Sequence, residues 1–543
     1  MMNRYRNWFL ALLLSSPIII FNLAYLFNHD PKLIPTGFIQ YDNVTYAGNA
    51  IQYNWPEHHG ISYSNRLNDS HIYDQIYFNP QLLLLAFLNR IGLAPGYALM
   101  LFNLLSSVLF FRMAIGIYDD VKQTNQFKIL NTILFSWGGG LLCLSGFFLF
   151  SMGVISNDFW SALFVLDPAH GWWGLNAGRS LFFSLEAWYH LLFFAAILSV
   201  LKKRWVIAAF VLLLLSLSHP FTGIELLLIL FTWVIIEFSI RRSSIPLYFS
   251  LTVIGILGLH IWYYLVFLNK FPEHHSVFQQ YSLNWKYRFY HFIPAYILTA
   301  LLTILAVKIE GLKNYFSRSG NRLFICWAIV AFTLANHELF IKPMQPLHFT
   351  RGYIWAALFF ACLPGLHYLW KTLSIRKNGL ILVMLISMVF LSDNLLWIVK
   401  NSRRVNEPTS VTLITPEQKQ ILEFLSMNAK FNDVIVGSDE IIPYLASIYT
   451  KSNIWFSHPY NTPNYETKKK AYDAFIQSGQ TAESTPWYTS KCFFIVEKSN
   501  QQQVDRFAGD KSSRLVFETS NYSVYLRLPI SFIVESSQLD SDL

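Results

Sequence analysis

The sequence contains a series of apolar runs that are long enough, or nearly so, to cross a lipid bilayer as helices. A bilayer core of about 30 Å requires about 20 mostly apolar residues in a helix. Eleven runs fit this description: residues 8–27, 96–118, 129–152, 180–201, 205–218, 224–240, 246–268, 291–307, 323–340, 353–370 and 379–399. They predict an α-helical polytopic membrane protein with about eleven transmembrane helices. Because the fifth run is short, residues 205–240 form either two spans or a re-entrant hairpin.

Charge divides the chain near residue 400. Residues 1–399 carry 26 Lys and Arg and 16 Asp and Glu, whereas residues 400–543 carry 15 and 16. Because the basic excess belongs to the apolar part, it indicates membrane topology and not a nucleic-acid partner. We predict a multi-span membrane domain over residues 1–399, with a long first outer loop at 28–95, and a soluble domain over residues 400–543.

The positions of Lys and Arg in the short loops predict the orientation, because these residues stay on the cytoplasmic side during insertion. With eleven alternating spans, the basic clusters fall on one side: Arg4 and Arg6, Lys122 and Lys128, residues 202–204, Arg241 and Arg242, residues 308–322, and residues 371–377. The prediction is a multi-pass protein of the cytoplasmic (inner) membrane. Its N-terminus is cytoplasmic and its C-terminal domain is extracytoplasmic.

The C-terminal region has the alternating pattern of an α/β domain. Strands are predicted at residues 434–437, 492–497, 515–518 and 523–528, and helices at 416–429, 466–477 and 501–507, with one more beginning after Asp439. In the first outer loop, Asn79-Pro80 followed by residues 81–90 predicts a short amphipathic helix at the membrane interface.

A carboxylate lies just beyond the first predicted span, within residues 35–46, which read Pro-Thr-Gly-Phe-Ile-Gln-Tyr-Asp-Asn-Val-Thr-Tyr. Asp42 is flanked there by aromatic residues and precedes a predicted helix. An acid in such a partly buried setting can accept a proton from a hydroxyl group or bind a metal ion. The alternative is an aspartate that only caps a helix or closes a turn.

Two further motifs lie on the same predicted side of the membrane. Ser-His-Pro-Phe-Thr-Gly at residues 218–223 stands between two apolar helices, where Pro and Gly free backbone groups. Such a break is tolerated at membrane depth only beside protein or a water-filled cavity, so His219 is either part of a site wall or a simple turn residue. Pro-Leu-His-Phe-Thr-Arg-Gly-Tyr at residues 346–353 opens the tenth span.

With these motifs, the long first loop and the α/β tail, the chain resembles the GT-C superfamily of polytopic glycosyltransferases. The resemblance covers nearly the whole chain in architecture. It implies a donor sugar linked to a lipid phosphate, and a first-loop acid that acts as catalytic base or metal ligand. The matching position here is Asp42. The superfamily commonly has a second, adjacent acid, whereas this chain has Asn43, so a divalent metal is a possible cofactor and not a required one.

Three basic residues are candidates for binding the donor phosphate. His348 and Arg351 are three residues apart, and the planar guanidinium of Arg351 can contact two phosphate oxygens at once. The alternative is that Arg351 extends to lipid head groups. Arg179, at the start of the fourth span, is a third candidate. Tyr41 and Tyr46, on either side of Asp42, complete the predicted substrate-binding set with His219.

Glu186 lies inside the fourth span. A carboxylate in a span costs about 3 kcal/mol on insertion scales and therefore normally faces a polar interior. We predict Glu186 as a second acid or as a hydrogen-bond partner of sugar hydroxyls.

The combined prediction is an inverting membrane glycosyltransferase on the outer face of the cytoplasmic membrane. A polyprenyl-phosphate-linked sugar is its donor, a glycan, lipid or protein is its acceptor, and Asp42 is its general base. Inversion is expected because no candidate for a covalent nucleophile is present. The alternatives are a transporter or flippase of lipid-linked glycans, and a non-catalytic GT-C-like binding subunit.

Overall fold

The computed structural model describes residues 2–27, 29–68, 75–121, 125–155, 158–167, 171, 174–240, 245–283, 285–402, 411–479 and 483–529. The chain packs as two units, which we name the helical unit (residues 1–27, 101–265 and 282–405) and the mixed unit (28–100, 266–281 and 406–543). The boundary predicted at residue 400 lies near the last junction, but the mixed unit also includes the first loop. Lys122, Arg241 and Arg242 of the predicted cytoplasmic loops lie outside the described residues.

The described helices account for every predicted apolar run. Seven are long and apolar enough to cross a bilayer: Pro95–Asp120, Ser184–Leu201, Pro220–Ser239, Leu247–Lys270, Phe289–Glu310, Pro346–Ser374 and Gly379–Ser402. Two bent helix pairs raise the number to nine, and Trp205–Ser218 and Ser319–Ala335 are shorter apolar helices. The chain is therefore a multi-pass membrane protein, and residues 205–240 form two helices that meet at His219.

The bent pairs are Met2–Leu14 with Ser16–Phe27 and Lys128–Trp137 with Leu142–Ser151. They bend by 48° and 63°, whereas the sequence analysis predicted one continuous apolar run for each pair. In the first pair, Pro17 lacks an N–H group, and its ring would clash with the carbonyl four residues earlier in a continuous helix. Shorter helices of the helical unit are Phe159–Leu163, Ala177–Ser180 and Leu312–Ser317.

The second bend opens the backbone inside the helical unit, at the glycines of residues 138–140. Side chains of helix Gly379–Ser402 form hydrogen bonds with the backbone N–H and carbonyl groups that this break leaves unpaired. The Asp393 carboxylate accepts hydrogen bonds from the backbone N–H of Leu142 (3.3 Å) and Cys143 (2.9 Å), and Asn394 donates to the Gly138 carbonyl (3.0 Å). Asp393 is fully buried. A broken helix in an apolar environment requires partners of this kind.

The described residues of the mixed unit form seven strands in two sheets. They are β1 (Ile34–Pro35), β2 (Leu413–Ile414), β3 (Val434–Gly437), β4 (Asn453–Ile454), β5 (Cys492–Glu497), β6 (Ser513–Glu518) and β7 (Tyr522–Arg527). The larger sheet has the order β4-β3-β5-β7-β6, with β3 parallel to β4 and β5, and β7 antiparallel to β5 and β6. This arrangement confirms the predicted α/β tail, although β4 and the pair β1-β2 were not predicted.

The helices of the mixed unit are Asn43–Ile51, Pro80–Arg90, Pro272–Gln280, Pro416–Asn428, Ile441–Tyr449, Tyr465–Ser478, Pro486–Thr489 and Gln501–Gly509. The predicted helix after Asn79-Pro80 is present, and the Asn79 side chain caps it by accepting from the Gln81 N–H. A buried aromatic core that includes Trp455, Phe475 and Phe494 lies against the larger sheet.

The first loop belongs to the mixed unit because it pairs with the C-terminal region. Strand β1 is antiparallel to β2, and the Thr36 hydroxyl donates to the Val411 carbonyl (2.6 Å). Arg66 is buried and donates to the backbone carbonyls of Ser447, Thr450 and Ser452. These carbonyls lie at and beyond the C-terminal end of helix Ile441–Tyr449, where the helix dipole favours a cation.

Two glycines allow the first loop to pass close to the backbone at the start of helix Pro95–Asp120. Gly37 has φ +86°, and a Cβ atom there would lie 2.5 Å from the backbone carbon of Gly96. A Cβ atom on Gly96 would lie 2.1 Å from the Thr36 carbonyl oxygen. The glycine of the predicted motif around Asp42 therefore serves backbone packing.

This crossing yields a matched pair of substitutions. Gly37→Ala adds a methyl group against backbone and forces a left-handed conformation on alanine, so the free energy of unfolding should fall by about 2–5 kcal/mol. Gly60→Ala also forces a positive φ (+110°) but meets no atom within 4 Å, and should cost about 1–2 kcal/mol. Thermal unfolding of the purified variants in detergent measures both, and equal losses would contradict the packing role of Gly37.

Candidate functional site

Asp42 begins the helix Asn43–Ile51 but does not cap it. It has helical backbone angles (φ −63°, ψ −23°), and its side chain makes no capping hydrogen bond. The side chain is 61% exposed. The helix start therefore positions the carboxylate without a capping hydrogen bond, and the alternative of a capping aspartate does not describe this residue.

His458 orients the Asp42 carboxylate. The imidazole Nδ1 accepts hydrogen bonds from the backbone N–H groups of Tyr460 (3.1 Å) and Asn461 (3.2 Å), so the ring proton lies on Nε2. Nε2 then donates to Asp42 Oδ1 at 2.9 Å. The His458 side chain is 3% exposed, so this donor is fixed by its surroundings.

Aromatic rings surround this pair. The Tyr41 ring packs against Tyr444 and His458, with centroid distances of 4.8 and 5.0 Å. The Tyr444 hydroxyl accepts from the Thr45 backbone N–H (3.1 Å) and is 2.7 Å from the Thr45 hydroxyl. These contacts fix the first turn of the helix that carries Asp42.

The environment keeps the nearby phenols protonated. Burial raises the pKa of Tyr41 well above its usual value, and the negative charges of Glu440, Asp42 and Asp439 raise it further. Burial likewise raises the pKa of Tyr281, with smaller contributions from Tyr46 and Asp42. Tyr41 and Tyr281 are therefore hydrogen-bond donors beside the carboxylate, and they do not compete with Asp42 as bases.

The sequence analysis predicted Asp42 as a site residue but did not predict His458, its hydrogen-bond donor 416 residues away. His458 follows the short strand β4, at the carboxyl edge of the parallel part of the sheet, where α/β domains commonly place ligand-binding groups. The signal in the sequence was a histidine before a proline, two residues after the apolar run Ile454, Trp455 and Phe456. A two-residue strand is too short for a pattern to reveal.

The residues beside Asp42 do not fit a metal site of two adjacent acids. Asn43 occupies the second position, and it is 1% exposed, so its amide is turned into the protein while the Asp42 side chain is largely exposed. Among the described residues, no group of three or more His, Cys, Asp and Glu side chains is arranged to hold a metal ion.

A second cluster of predicted residues lies in the helical unit. Glu186, in the first turn of helix Ser184–Leu201, forms an ion pair with Arg351, and both side chains are largely buried. His190, one turn later, has its two ring nitrogens 2.8 Å from the Glu186 carbonyl and 2.7 Å from the Arg351 carbonyl. The fourth span thus fixes both the backbone and the side chain of Arg351.

The two predicted histidines, His219 and His348, adjoin this cluster, whereas His190 was not predicted. His219 caps helix Pro220–Ser239 by accepting from the Thr222 N–H (3.2 Å), and its ring stacks on Tyr189 at 4.3 Å. The His348 ring stacks on Phe221 at 4.4 Å and lies 5.8 Å from the ring of His219. The turn at His219 is therefore both a helix cap and a wall of the cluster.

Arg179 has other partners. Its fully buried guanidinium forms an ion pair of 2.5 Å with Asp167 and donates to the Gly171 carbonyl. The structure thus places Asp42, Tyr41 and Tyr46 in the mixed unit. Of the other predicted site residues, Glu186, His219, His348 and Arg351 form one cluster in the helical unit, and Arg179 belongs to a separate ion pair.

The helical unit contains an apolar cavity of about 380 Å³, and one of its lining residues follows Arg351 by three positions in the sequence. Its walls come from helices Phe289–Glu310, Ser319–Ala335 and Tyr353–Ser374, and Ile354 is among the lining residues. Apart from the hydroxyl groups of Tyr296 and Thr333, its lining side chains are hydrocarbon. Such a cavity suits an aliphatic chain.

Comparison with solved structures shows the fold. The arabinofuranosyltransferase AftD from mycobacteria superposes with a TM-score of 0.54 at 11% identity, over 94% of this chain and 41% of AftD, so this chain spans less than half of AftD. ArnT from Cupriavidus metallidurans, solved bound to undecaprenyl phosphate, gives a TM-score of 0.49 at 11% identity, over 95% of this chain and 97% of ArnT. The chain is a GT-C-like membrane protein in fold. No protein-family model matches it, and a search of curated proteins gives no match.

The ion pair between Glu186 and Arg351 predicts a non-additive effect on stability. Arg351→Met leaves a buried carboxylate without its cation and should lower the free energy of unfolding by about 3–5 kcal/mol. The double variant Glu186→Gln/Arg351→Met removes both charges of this pair, so it should be more stable than the single variant. Thermal unfolding in detergent measures the difference, and a double variant less stable than Arg351→Met would contradict the pairing.

Proposed function

We propose that this protein is a membrane glycosyltransferase that transfers a sugar from a polyprenyl-phosphate-linked donor to a hydroxyl acceptor on the outer face of the cytoplasmic membrane. The observation that carries the proposal is the Asp42 carboxylate, which is exposed and held by the Nε2–H group of His458. The GT-C-like fold and the ionic and apolar features of the helical unit support it.

In the proposed reaction Asp42 is the general base. An acceptor hydroxyl donates its proton to the carboxylate as the hydroxyl oxygen attacks the anomeric carbon of the donor. The bond from that carbon to the phosphate oxygen breaks as the new bond forms, so the configuration inverts. His458 holds one carboxylate oxygen and so directs the group, which is the role of a positioning residue.

The helical unit would bind the donor. Arg351 is suited to a phosphate because its fork donates two parallel hydrogen bonds, and His348 can add a third. A phosphate would compete with Glu186 for Arg351, and the released carboxylate could then accept from sugar hydroxyls. The apolar cavity that includes Ile354 would take part of the polyprenyl chain. Tyr41 and Tyr46 would bind substrate beside Asp42.

The base assignment predicts the effect of a conservative substitution. Asp42→Asn keeps the acceptor for His458 but removes the base, so transfer should fall by about 10²- to 10⁴-fold while the thermal stability stays close to wild type. The measurement is transfer of labelled sugar from a panel of polyprenyl-phosphate sugars by purified protein. Asp30→Asn, an exposed acid of the same loop, is the matched control and should be fully active. Full activity of Asp42→Asn would eliminate the mechanism.

Two substitutions at His458 separate its hydrogen bond from its ring. His458→Gln keeps an N–H donor but loses the ring contact with Tyr41, whereas His458→Phe keeps a ring and loses the donor. If the hydrogen bond positions Asp42, His458→Phe should lower kcat by about 10²-fold with little change in KM, and His458→Gln should retain more activity. The reverse order would assign His458 a packing role.

A further inference from the structure

A second cavity, of about 530 Å³, lies at the other end of the helices that carry Glu186 and His219. Val200 and Leu201, in the last turn of helix Ser184–Leu201, line it. At 1.5 Å per residue they are about 22 Å along the helix from Glu186. This cavity is therefore distinct from the cluster described above, and its volume is within the range of about 300–1,000 Å³ that is typical of small-molecule sites.

Two buried polar atoms of opposite character belong to residues that line this cavity. The indole Nε1 of Trp233 is a donor only, and the residue is 3% exposed. Oε2 of Glu310 is an acceptor. The other oxygen of the same carboxylate, Oε1, accepts a hydrogen bond from Arg318 at 3.0 Å. Neither Trp233 Nε1 nor Glu310 Oε2 has a hydrogen-bond partner among the described residues. A buried polar group left unpaired costs about 1–3 kcal/mol. A ligand that accepts a hydrogen bond from Trp233 Nε1 and donates one to Glu310 Oε2 would remove both costs.

Charges of both signs line the same cavity. Lys203 and Arg318 are cationic, and Asp120 and Glu310 are anionic. Lys203 has φ +56°, at a position after the helix end where glycine is usual. The cavity thus offers cations and an N–H group to an anion, and carboxylates to a cation.

We propose that this cavity binds an ethanolamine phosphate group, as carried by the zwitterionic head group of an ethanolamine phospholipid. The phosphate accepts from Trp233 Nε1 and from Lys203, and the primary ammonium donates to Glu310 Oε2 and to Asp120. Both unpaired buried atoms are then satisfied at once. The cavity lies where spanning helices end and where Trp205 and Trp233 occur, which matches the depth of lipid head groups.

The chemistry discriminates among common lipids. A choline head group carries no N–H, so it cannot donate to Glu310. A glycerol head group has hydroxyl donors, but its phosphate would bring an uncompensated negative charge into a cavity whose two cations and two carboxylates already balance. An ethanolamine head group has both the phosphate oxygens and the N–H donors that the cavity requires.

The test is native mass spectrometry of the full-length protein released from detergent, after incubation with equal amounts of phosphatidylethanolamine, phosphatidylcholine and phosphatidylglycerol. We expect at least tenfold more retained phosphatidylethanolamine than either other lipid. A second arm adds glycerophosphoethanolamine, the water-soluble head group. Retention of the lipid alone identifies the bilayer as the source, and retention of both identifies a soluble ester as a source as well; both outcomes support the proposed chemistry.

Three variants locate the binding. Trp233→Phe removes only the donor, and Lys203→Gly removes the ammonium while suiting the positive φ, so each should fold and lose at least fivefold of the ethanolamine preference. Lys202→Ala removes an equal charge one residue away that does not line the cavity, and should retain the preference. Equal retention of the three lipids by the wild type, or an unchanged preference in both cavity variants, would overturn the proposal.

Discussion

The absence of water in a bilayer core is the constraint on which the helical unit depends, because every backbone N–H and carbonyl there needs a protein partner. Continuous helices meet it by themselves. Where a helix breaks, a polar side chain of the apolar runs supplies the partner: Asp393 caps the helix after the glycines of residues 138–140, and His219 caps the helix that follows it. Some polar residues that could be taken for catalytic or binding residues therefore serve, at least in part, as hydrogen-bond partners of the backbone.

The same constraint governs the buried charges of the helical unit. Arg351 is paired with Glu186, and Arg179 with Asp167. A cation placed at this depth without a carboxylate would be costly, so an anionic ligand has to exchange with an existing partner and cannot simply add to a bare charge. The pair of Arg351 is partly accessible, whereas that of Arg179 is fully buried, which makes exchange easier at Arg351.

The apolar helices, their approximate bounds and most strands of the tail followed from the sequence, because the length and period of an apolar run depend on local structure, although, among the described residues, only seven to nine of the eleven predicted spans are long enough to cross a bilayer. The bends did not follow from run length, although Pro17 and the three glycines of residues 138–140 marked them. The partner of Asp42 was beyond reach for a different reason. The orientation of that carboxylate depends on His458, which a two-residue strand brings to it from 416 positions away. Local patterns locate the acid, whereas only the tertiary structure shows its hydrogen bond with His458.

The pairing of β1 with β2 has a consequence for biogenesis. Thr36 leaves the ribosome about 375 residues before the carbonyl of Val411 that it contacts. All the intervening helices are synthesised while the first loop lacks its partners, including the carbonyls that Arg66 will contact. Contacts this distant form slowly, and exposed strand edges invite aggregation in the interval. The mixed unit is therefore completed only near the end of translation, and truncation anywhere before the tail leaves the Asp42 loop unsupported.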